Sequence, residues 1–205
     1  PDEKIFIGSK ILSKKLTSFL IFNKPDIILT IFWRYILKEK IFLIPKHGCI
    51  NFHLSYLPFN KGKKPNFWPF IDKTPAGVSI HYINSGIDSG DILVRKKIKI
   101  DIFDNAKTLY LKQLTEIIKL FKSKWKFIKS NKIKTIKNYF KKGTFHYDRD
   151  FLKYKKIDLN KKMKVLDLID LVKAKTFPPH EGLYFIHKAK KIYISINLSK
   201  KNKNE

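Results

Sequence analysis

Asn51 and His53 stand two residues apart, and Asp88 follows within a glycine-flanked turn, Asn84–Asp91 (NSGIDSGD). In an extended chain, residues i and i+2 project to the same side, so Asn51 and His53 can converge on one substrate atom. An amide N–H can hold a developing oxyanion, and an imidazole can move a proton. A carboxylate on an opposing loop can orient that imidazole or raise its pKa. No Ser, Thr or Cys stands where it would plainly serve as the nucleophile. The set suits acyl transfer to a nucleophile that the substrate brings, such as an amine. A histidine at a strand end also serves structural roles, and an aspartate in a Gly-rich turn is often only a turn residue. The three residues alone leave both readings open. No rival motif competes, because the chain lacks GxGxxG, a Walker lysine loop, HExxH and any cysteine cluster.

The elements that must position these residues can be read from hydrophobic pattern. Lys4–Ile7 is a short apolar strand candidate. Ser13–Asn23 carries Leu16, Phe19 and Leu20 at helical spacing, with Ser13 as a candidate N-cap. Pro25-Asp26 opens Ile27–Phe32, a continuous run rich in β-branched residues, as in a strand buried on both faces. Together these predict a βαβ unit. Lys38–Ile44 predicts a short helix and turn. Cys49–Phe52 is the next buried strand, and it delivers Asn51 and His53 at its C-terminal end. In open α/β sheets ligands bind beyond those ends. A helix around Pro65–Ile71, a strand at Val78–Ile83 and a half-exposed strand at Asp91–Ile100 follow. Asp104 is expected to cap a long helix whose apolar stripe is Ala106, Tyr110, Leu114, Ile117, Ile118, Phe121, Trp125 and Ile128. Past Asn131 the texture turns Lys-rich. A helix at Lys164–Lys173 precedes a strand pair, Leu183–Ile186 with Lys191–Ile196, and a charged tail, Ser199–Glu205, expected to be disordered.

Composition bounds the reading. The chain has 205 residues, 43% of them hydrophobic, enough for one core and against global disorder. No apolar run is long enough to span a bilayer, and no signal-peptide pattern opens the chain. The single cysteine, Cys49, rules out an internal disulfide and makes the cytoplasm the default compartment. A formal charge of +27 invites a nucleic-acid partner. Yet only Arg34, Arg95 and Arg149 are arginine, and phosphate and base recognition favours the guanidinium fork. The lysine excess reads as solvated charge.

Read whole, Ile50–Leu93 resembles the catalytic core of the folate-dependent formyltransferases. The resemblance rests on Asn51-x-His53, Leu57-Pro58, Lys61-Gly62, Gly77-Val78 with His81, and Ile87-Asp88-Ser89-Gly90, in that order. Upstream, Phe32–Leu37 (FWRYIL) resembles the segment that receives the pterin. The resemblance implies a Rossmann-like α/β fold with a mostly parallel central sheet flanked by helices. It implies a catalytic core over residues 1–130 and a small C-terminal α+β and hairpin region over 131–198. It assigns Asn51 to the formyl oxygen, His53 to proton transfer or a second oxyanion contact, and Asp88 to setting the charge of His53 and helping remove the amine proton. It assigns 10-formyltetrahydrofolate to Phe32, Trp33, Arg34, Tyr35, Ile36, Tyr82, Ile83 and Ile87, and the acceptor to Ser55, Lys61, Gly62 and Asn66. No metal is implied.

The C-terminal segment Lys173–Phe185 (KAKTFPPHEGLYF) resembles the end of the nucleotide-sugar N-formyltransferases. The expected acceptor is therefore an amine on a nucleotide-linked sugar, such as a dTDP-4-amino-4,6-dideoxyhexose destined for O-antigen or another surface glycan. A homodimer through the C-terminal region is implied with it. Phe145, Tyr147 and Tyr184 could stack the base or simply pack. Methionyl-tRNA formylation is the runner-up. The resemblance differs at Lys61, where many members have Arg. It also differs in the short stretch before Asn51, which predicts a fragment, a chain that needs a partner strand, or a non-catalytic homologue.

Overall fold

A four-stranded sheet carries the site. The structure is a computed structural model that describes residues 14–33, 35–139 and 142–200. The expected strand Lys4–Ile7, the Ser13 cap, Arg34 and residues 201–205 of the tail lie outside the described residues. Helix α1 (Lys14–Asn23) leads to β1 (Ile28–Ile31), and a one-turn helix α2 (Glu39–Phe42) leads to β2 (Cys49–His53). A two-residue strand β3 (Lys61–Gly62) and the short helix α3 (Trp68–Asp72) precede β4 (Gly77–Tyr82) and β5 (Ile92–Lys97). The sheet order is β1-β2-β4-β5.

Among the described residues the sheet is mixed, which corrects the expectation of a mostly parallel one. β1 and β2 run parallel, whereas β2–β4 and β4–β5 are antiparallel. The chain between β2 and β4 stays at one end of the sheet, where β3 pairs with Phe145–His146 and α3 packs on Val165–Lys175, so it re-enters beside the end of β2 and runs back, with His53 opposite Ser79. β5 follows β4 through a short turn that reverses the chain.

The long helix α4 (Ala106–Lys129) covers one face of the sheet. Ile50, Phe52, Val78, Ile80 and Leu93 meet Ile117, Leu120 and Ile128 there. Its cap is Asn105, not Asp104. The Asn105 side chain accepts from the Lys107 and Thr108 N–H groups, each at 3.0 Å, while Thr108 Oγ1 accepts from the Asn105 N–H at 2.9 Å. Asp104 instead accepts from Lys112 Nζ at 2.6 Å and the Asp101 N–H at 2.7 Å. The apolar stripe also needs correction, because Ile118 is half exposed while Leu109, Gln113 and Leu120 are buried. Gln113 earns burial by donating to the carbonyls of Leu54 and Gly77, which tie the end of β2 to the start of β4.

The opposite face packs on α1 and α2 through Leu20, Leu37, Ile41, Phe42 and Cys49. Burial pushes the Cys49 thiol up to about 12, so it stays an inert core group. The C-terminal part adds β6 (Phe145–His146), α5 (Asp148–Leu152), α6 (Val165–Lys175) and an antiparallel hairpin of β7 (Leu183–His187) and β8 (Lys190–Ile194). β6 pairs with β3, so this part is stitched directly to the loop that follows β2. Among the described residues, no helix is long and apolar enough to cross a membrane.

Candidate active site

Strand register puts Thr30, Asn51 and His81 in one row across three neighbouring strands. Thr30 lies opposite Asn51, and Asn51 opposite His81. A register shift between Ile80 and His81, against β5, sits next to this row. Such irregularities often re-aim a side chain beside a site.

The row fixes which way the Asn51 amide points. Thr30 Oγ1 donates to Asn51 Oδ1 at 2.9 Å. His81 Nδ1 lies 2.7 Å from the Tyr82 carbonyl, which can only accept, so this nitrogen carries the proton and Nε2 presents a lone pair. Asn51 Nδ2 meets that lone pair at 3.2 Å and Asp88 Oδ1 at 3.4 Å. One donor on its oxygen and two acceptors on its nitrogen hold the amide from both ends. Replacing Thr30 with Val keeps the shape and removes the donor. One hydrogen bond of about 1 kcal/mol corresponds to roughly a 5- to 10-fold lower turnover number. Thr30→Ser should retain most of the wild-type rate. Steady-state turnover checks this, and an unchanged Thr30→Val rate would mean the amide is held without the hydroxyl.

His53 donates from Nε2 to the Asn60 carbonyl at 3.1 Å and turns Nδ1 toward Asp88 Oδ2, 3.6 Å away. Burial pushes its pKa below the usual 6.5. The Asp88 charge opposes that shift, and His81 and Lys61 add to it. His53 is therefore neutral at pH 7 and offers a basic Nδ1. Asp88 sits on the β4–β5 turn with a left-handed φ of +47° and an 11% exposed side chain. Burial alone would raise its pKa. The positive charge that His53 can take up opposite it, with His81 and the Gly62 N–H, which donates to Asp88 Oδ2 at 2.8 Å, outweighs burial and keeps the carboxyl well below its usual range.

The sequence-derived trio Asn51, His53 and Asp88 is thus one cluster. Gly62 joins it through its backbone. Lys61 is buried beside it, with its pKa lowered by burial against the pull of Asp88. Ser55 is buried, its backbone carbonyl accepting from Ser79 Oγ at 2.7 Å. Asn66 donates to the Ala106 carbonyl at 3.1 Å, which ties it to α4. Phe32, Tyr35, Ile36 and Ile87 form exposed apolar surface beyond β1 and on the β4–β5 turn. Trp33 packs edge-on to Tyr35 at 5.5 Å, and its buried indole N–H has no partner among the described residues. Ile83 packs against the α1 and α2 core, and Tyr82 is partly buried against the α4 core. Phe145 packs on Tyr147 at 4.7 Å, and Tyr184 on Tyr193 at 5.9 Å.

Sequence reasoning missed four supporting residues. His81 appears in the motif but carried no role. Thr30 lies in an apolar run whose register no local pattern reveals. Asn60, fully buried at φ +56°, presents its carbonyl to His53 while its side chain accepts from Thr74 and Thr144. Asn138 donates to the carbonyls of Asp88 and Gly90 at 2.9 and 3.0 Å and so holds the Asp88 turn. It stands in a Lys-rich stretch without any local signal.

Comparison with known proteins accords with this geometry. A family model described as formyl transferase matches residues 8–121, and one described as the N-formyltransferase dimerization C-terminal domain matches residues 150–200. A bifunctional polymyxin resistance protein ArnA from Wigglesworthia glossinidia brevipalpis is 34% identical over 85% of this chain and 26% of its own length. A methionyl-tRNA formyltransferase from Thermodesulfovibrio yellowstonii is 41% identical over 47% of this chain and 30% of its own. The chain thus spans about a quarter to a third of these curated relatives. Among solved structures, a 4-N formyltransferase from Francisella tularensis superposes with a TM-score of 0.83 at 30% identity, covering 91% of this chain and 76% of that one. The formyltransferase PseJ from Anoxybacillus kamchatkensis, solved with UDP-4,6-dideoxy-4-formamido-L-AltNAc and tetrahydrofolate, gives 0.62 at 38% identity, covering 74% and 75%. With a family model spanning more than half of its residues and a cluster built on that family's motifs, the chain belongs to the formyl transferase family.

Proposed function

We propose that this chain moves a formyl group from 10-formyltetrahydrofolate to the amine of a nucleotide-linked amino sugar. The observation that carries the reading is the meeting of the Asn51 amide, the His53 Nδ1 and the Asp88 carboxylate at the C-terminal end of β2. The residues present fit a folate donor. Exposed Phe32, Tyr35, Ile36 and Ile87 offer an apolar ledge for a flat heterocycle, and the partnerless Trp33 indole N–H beside it can donate to one. Bound there, the folate supplies the formyl carbonyl as electrophile.

The chain's own residues do the rest. Asn51 gives up its long 3.4 Å contact with Asp88 and turns that Nδ2–H toward the formyl oxygen as negative charge grows on it. As the amine adds to the formyl carbon, His53, neutral beforehand, accepts its proton on Nδ1 and Asp88 stabilises the resulting imidazolium; His53 then returns the proton to the folate nitrogen as its bond to the formyl carbon breaks. The Gly62 N–H keeps the Asp88 carboxylate oriented and ionised. No acyl group passes onto the protein.

The acceptor assignment rests on the match of residues 150–200 to the dimerization domain of N-formyltransferases and on the sugar nucleotide in the PseJ complex. The same match supports a homodimer. Methionyl-tRNA is the second reading, favoured by the 41% identical relative. The test offers 10-formyltetrahydrofolate together with dTDP- or UDP-linked amino sugars, or with charged initiator tRNA, and follows tetrahydrofolate release. Release with an amino sugar supports the proposal, whereas release with tRNA alone overturns the acceptor.

A further inference from the structure

Two consecutive peptide groups of the loop after β2 address the two titratable members of the cluster. The Asn60 carbonyl accepts from His53 Nε2 at 3.1 Å, and the next peptide sends the Gly62 N–H to Asp88 Oδ2 at 2.8 Å. That same Oδ2 lies 3.6 Å from His53 Nδ1. His53 therefore has an acceptor facing each ring nitrogen. A neutral imidazole carries one N–H proton, so the two acceptors compete for it. The carboxylate is charged and is intrinsically the stronger acceptor. A proton on Nδ1 would leave that nitrogen unable to take another. Distance decides for Nε2, because the carbonyl stands within hydrogen-bond range and the carboxylate beyond it.

That balance depends on how firmly the Asn60 carbonyl is held, and the hold comes from 84 residues further along the chain. The N–H and C=O of one trans peptide point in opposite directions. The Lys61 N–H donates to the Thr144 carbonyl at 3.0 Å, which turns the Asn60 carbonyl of the same peptide back toward His53. The Thr144 hydroxyl fixes the other side of Asn60. Its Oγ1 accepts from the Asn60 N–H at 2.8 Å and donates to Asn60 Oδ1 at 3.1 Å. Asn60 needs this support. It is fully buried with φ +56°, a left-handed backbone that persists in a residue other than glycine where its surroundings fix it. Thr74 Oγ1 reaches the same Oδ1 at 3.0 Å, on the side chain rather than the backbone.

We propose that Thr144 is a positioning residue for His53. From the segment that enters β6 it fixes the Asn60–Lys61 peptide, so that the Asn60 carbonyl rather than the Asp88 carboxylate holds the imidazole proton and Nδ1 stays open to accept one. The effect on rate rests on the formyl-transfer reading, but the tautomer is read without any substrate. Long-range proton–nitrogen NMR of the whole chain with labelled histidine reports it, the His53 signals being assigned by their loss in His53→Gln. Neutral His53 in the wild type should carry its proton on Nε2. Thr144→Val keeps the shape and removes the hydroxyl. It should show a second population protonated on Nδ1 and a turnover number about 5- to 10-fold lower, the worth of one hydrogen bond. Thr144→Ser should restore both. Asn60→Gly takes up the left-handed backbone without strain and gives up the Oδ1 contacts. It should shift the tautomer the same way, and it decides the matter should Thr144→Val fail to fold. A wild-type His53 protonated on Nδ1 overturns the proposal, as does a wild-type tautomer in Thr144→Val, whatever its rate. A shifted tautomer with unchanged turnover removes Nδ1 as the proton acceptor and the positioning role with it. Should the tautomers behave as expected while the wild type transfers no formyl group, the positioning stands and the formyl-transfer reading falls.

Discussion

Asp88→Asn should lower the turnover number about a hundred- to ten-thousand-fold, the range of a general acid–base contribution, while the affinity for a folate analogue changes little. The substitution keeps the size and lets the Gly62 N–H still find an acceptor, but it removes the charge that faces His53 Nδ1. An imidazolium formed there would then be buried without a counter-ion. The pH profile gives a second readout. Below its own pKa, His53 already holds a proton on Nδ1 and cannot accept another, so activity falls as pH drops. Burial sets that limb below 6.5 in the wild type. Because Asp88 raises the His53 pKa, removing the charge should move the limb to still lower pH. Steady-state rates across pH for both proteins test this. A variant with wild-type turnover, or a limb that moves upward, would take Asp88 out of the proton path.

Gly62→Ala should be a damaging small substitution near the site. Gly62 holds φ +85°, and a Cβ built on it would meet the His146 carbonyl oxygen at 2.3 Å. The obstacle is backbone of the paired strand β6, so no side chain can swing aside. Left-handed backbone costs an alanine about 1–2 kcal/mol by itself. Forcing β3 from β6 raises the expected loss to about 2–4 kcal/mol, or a fall of about 5–15 °C in Tm for a chain this size. The same displacement draws the Gly62 N–H from Asp88, so activity should fall with stability. Gly182→Ala is the control, since nothing lies within 4 Å of its Cβ position, and it should stay within about 0.5 kcal/mol of wild type. Thermal denaturation of the pair decides the matter. Equal melting temperatures would show that the β3–β6 contact can relax freely.

Much of this protein is legible residue by residue. Alternation and β-branched runs mark the strands, and the i, i+2 rule puts Asn51 and His53 on one side of β2, because side-chain direction in a strand is a local property. The motif from Ile50 to Leu93 brings Asp88 into the same thought. The misplaced helix cap shows where locality fails. Asp104 and Asn105 are both good caps, and the choice fell to Asn105 because Asp104 is engaged by Lys112 two turns further along. Ile118 fits a helical period but lies at the margin of the face that the sheet covers.

The amino-acid order by itself determined which residues are proposed to carry the chemistry and which family the chain belongs to, since both depend on residue types at short spacing. Tertiary structure alone decided how those residues are held. Strand direction follows from where the chain between β2 and β4 is held, with β3 paired to β6 outside the main sheet. The Thr30–Asn51–His81 row follows from register between strands, and the Asn60 and Asn138 supports from contacts across long loops. In each case the deciding contact joins residues far apart in the chain, where packing and hydrogen-bond satisfaction, rather than local preference, choose the partner.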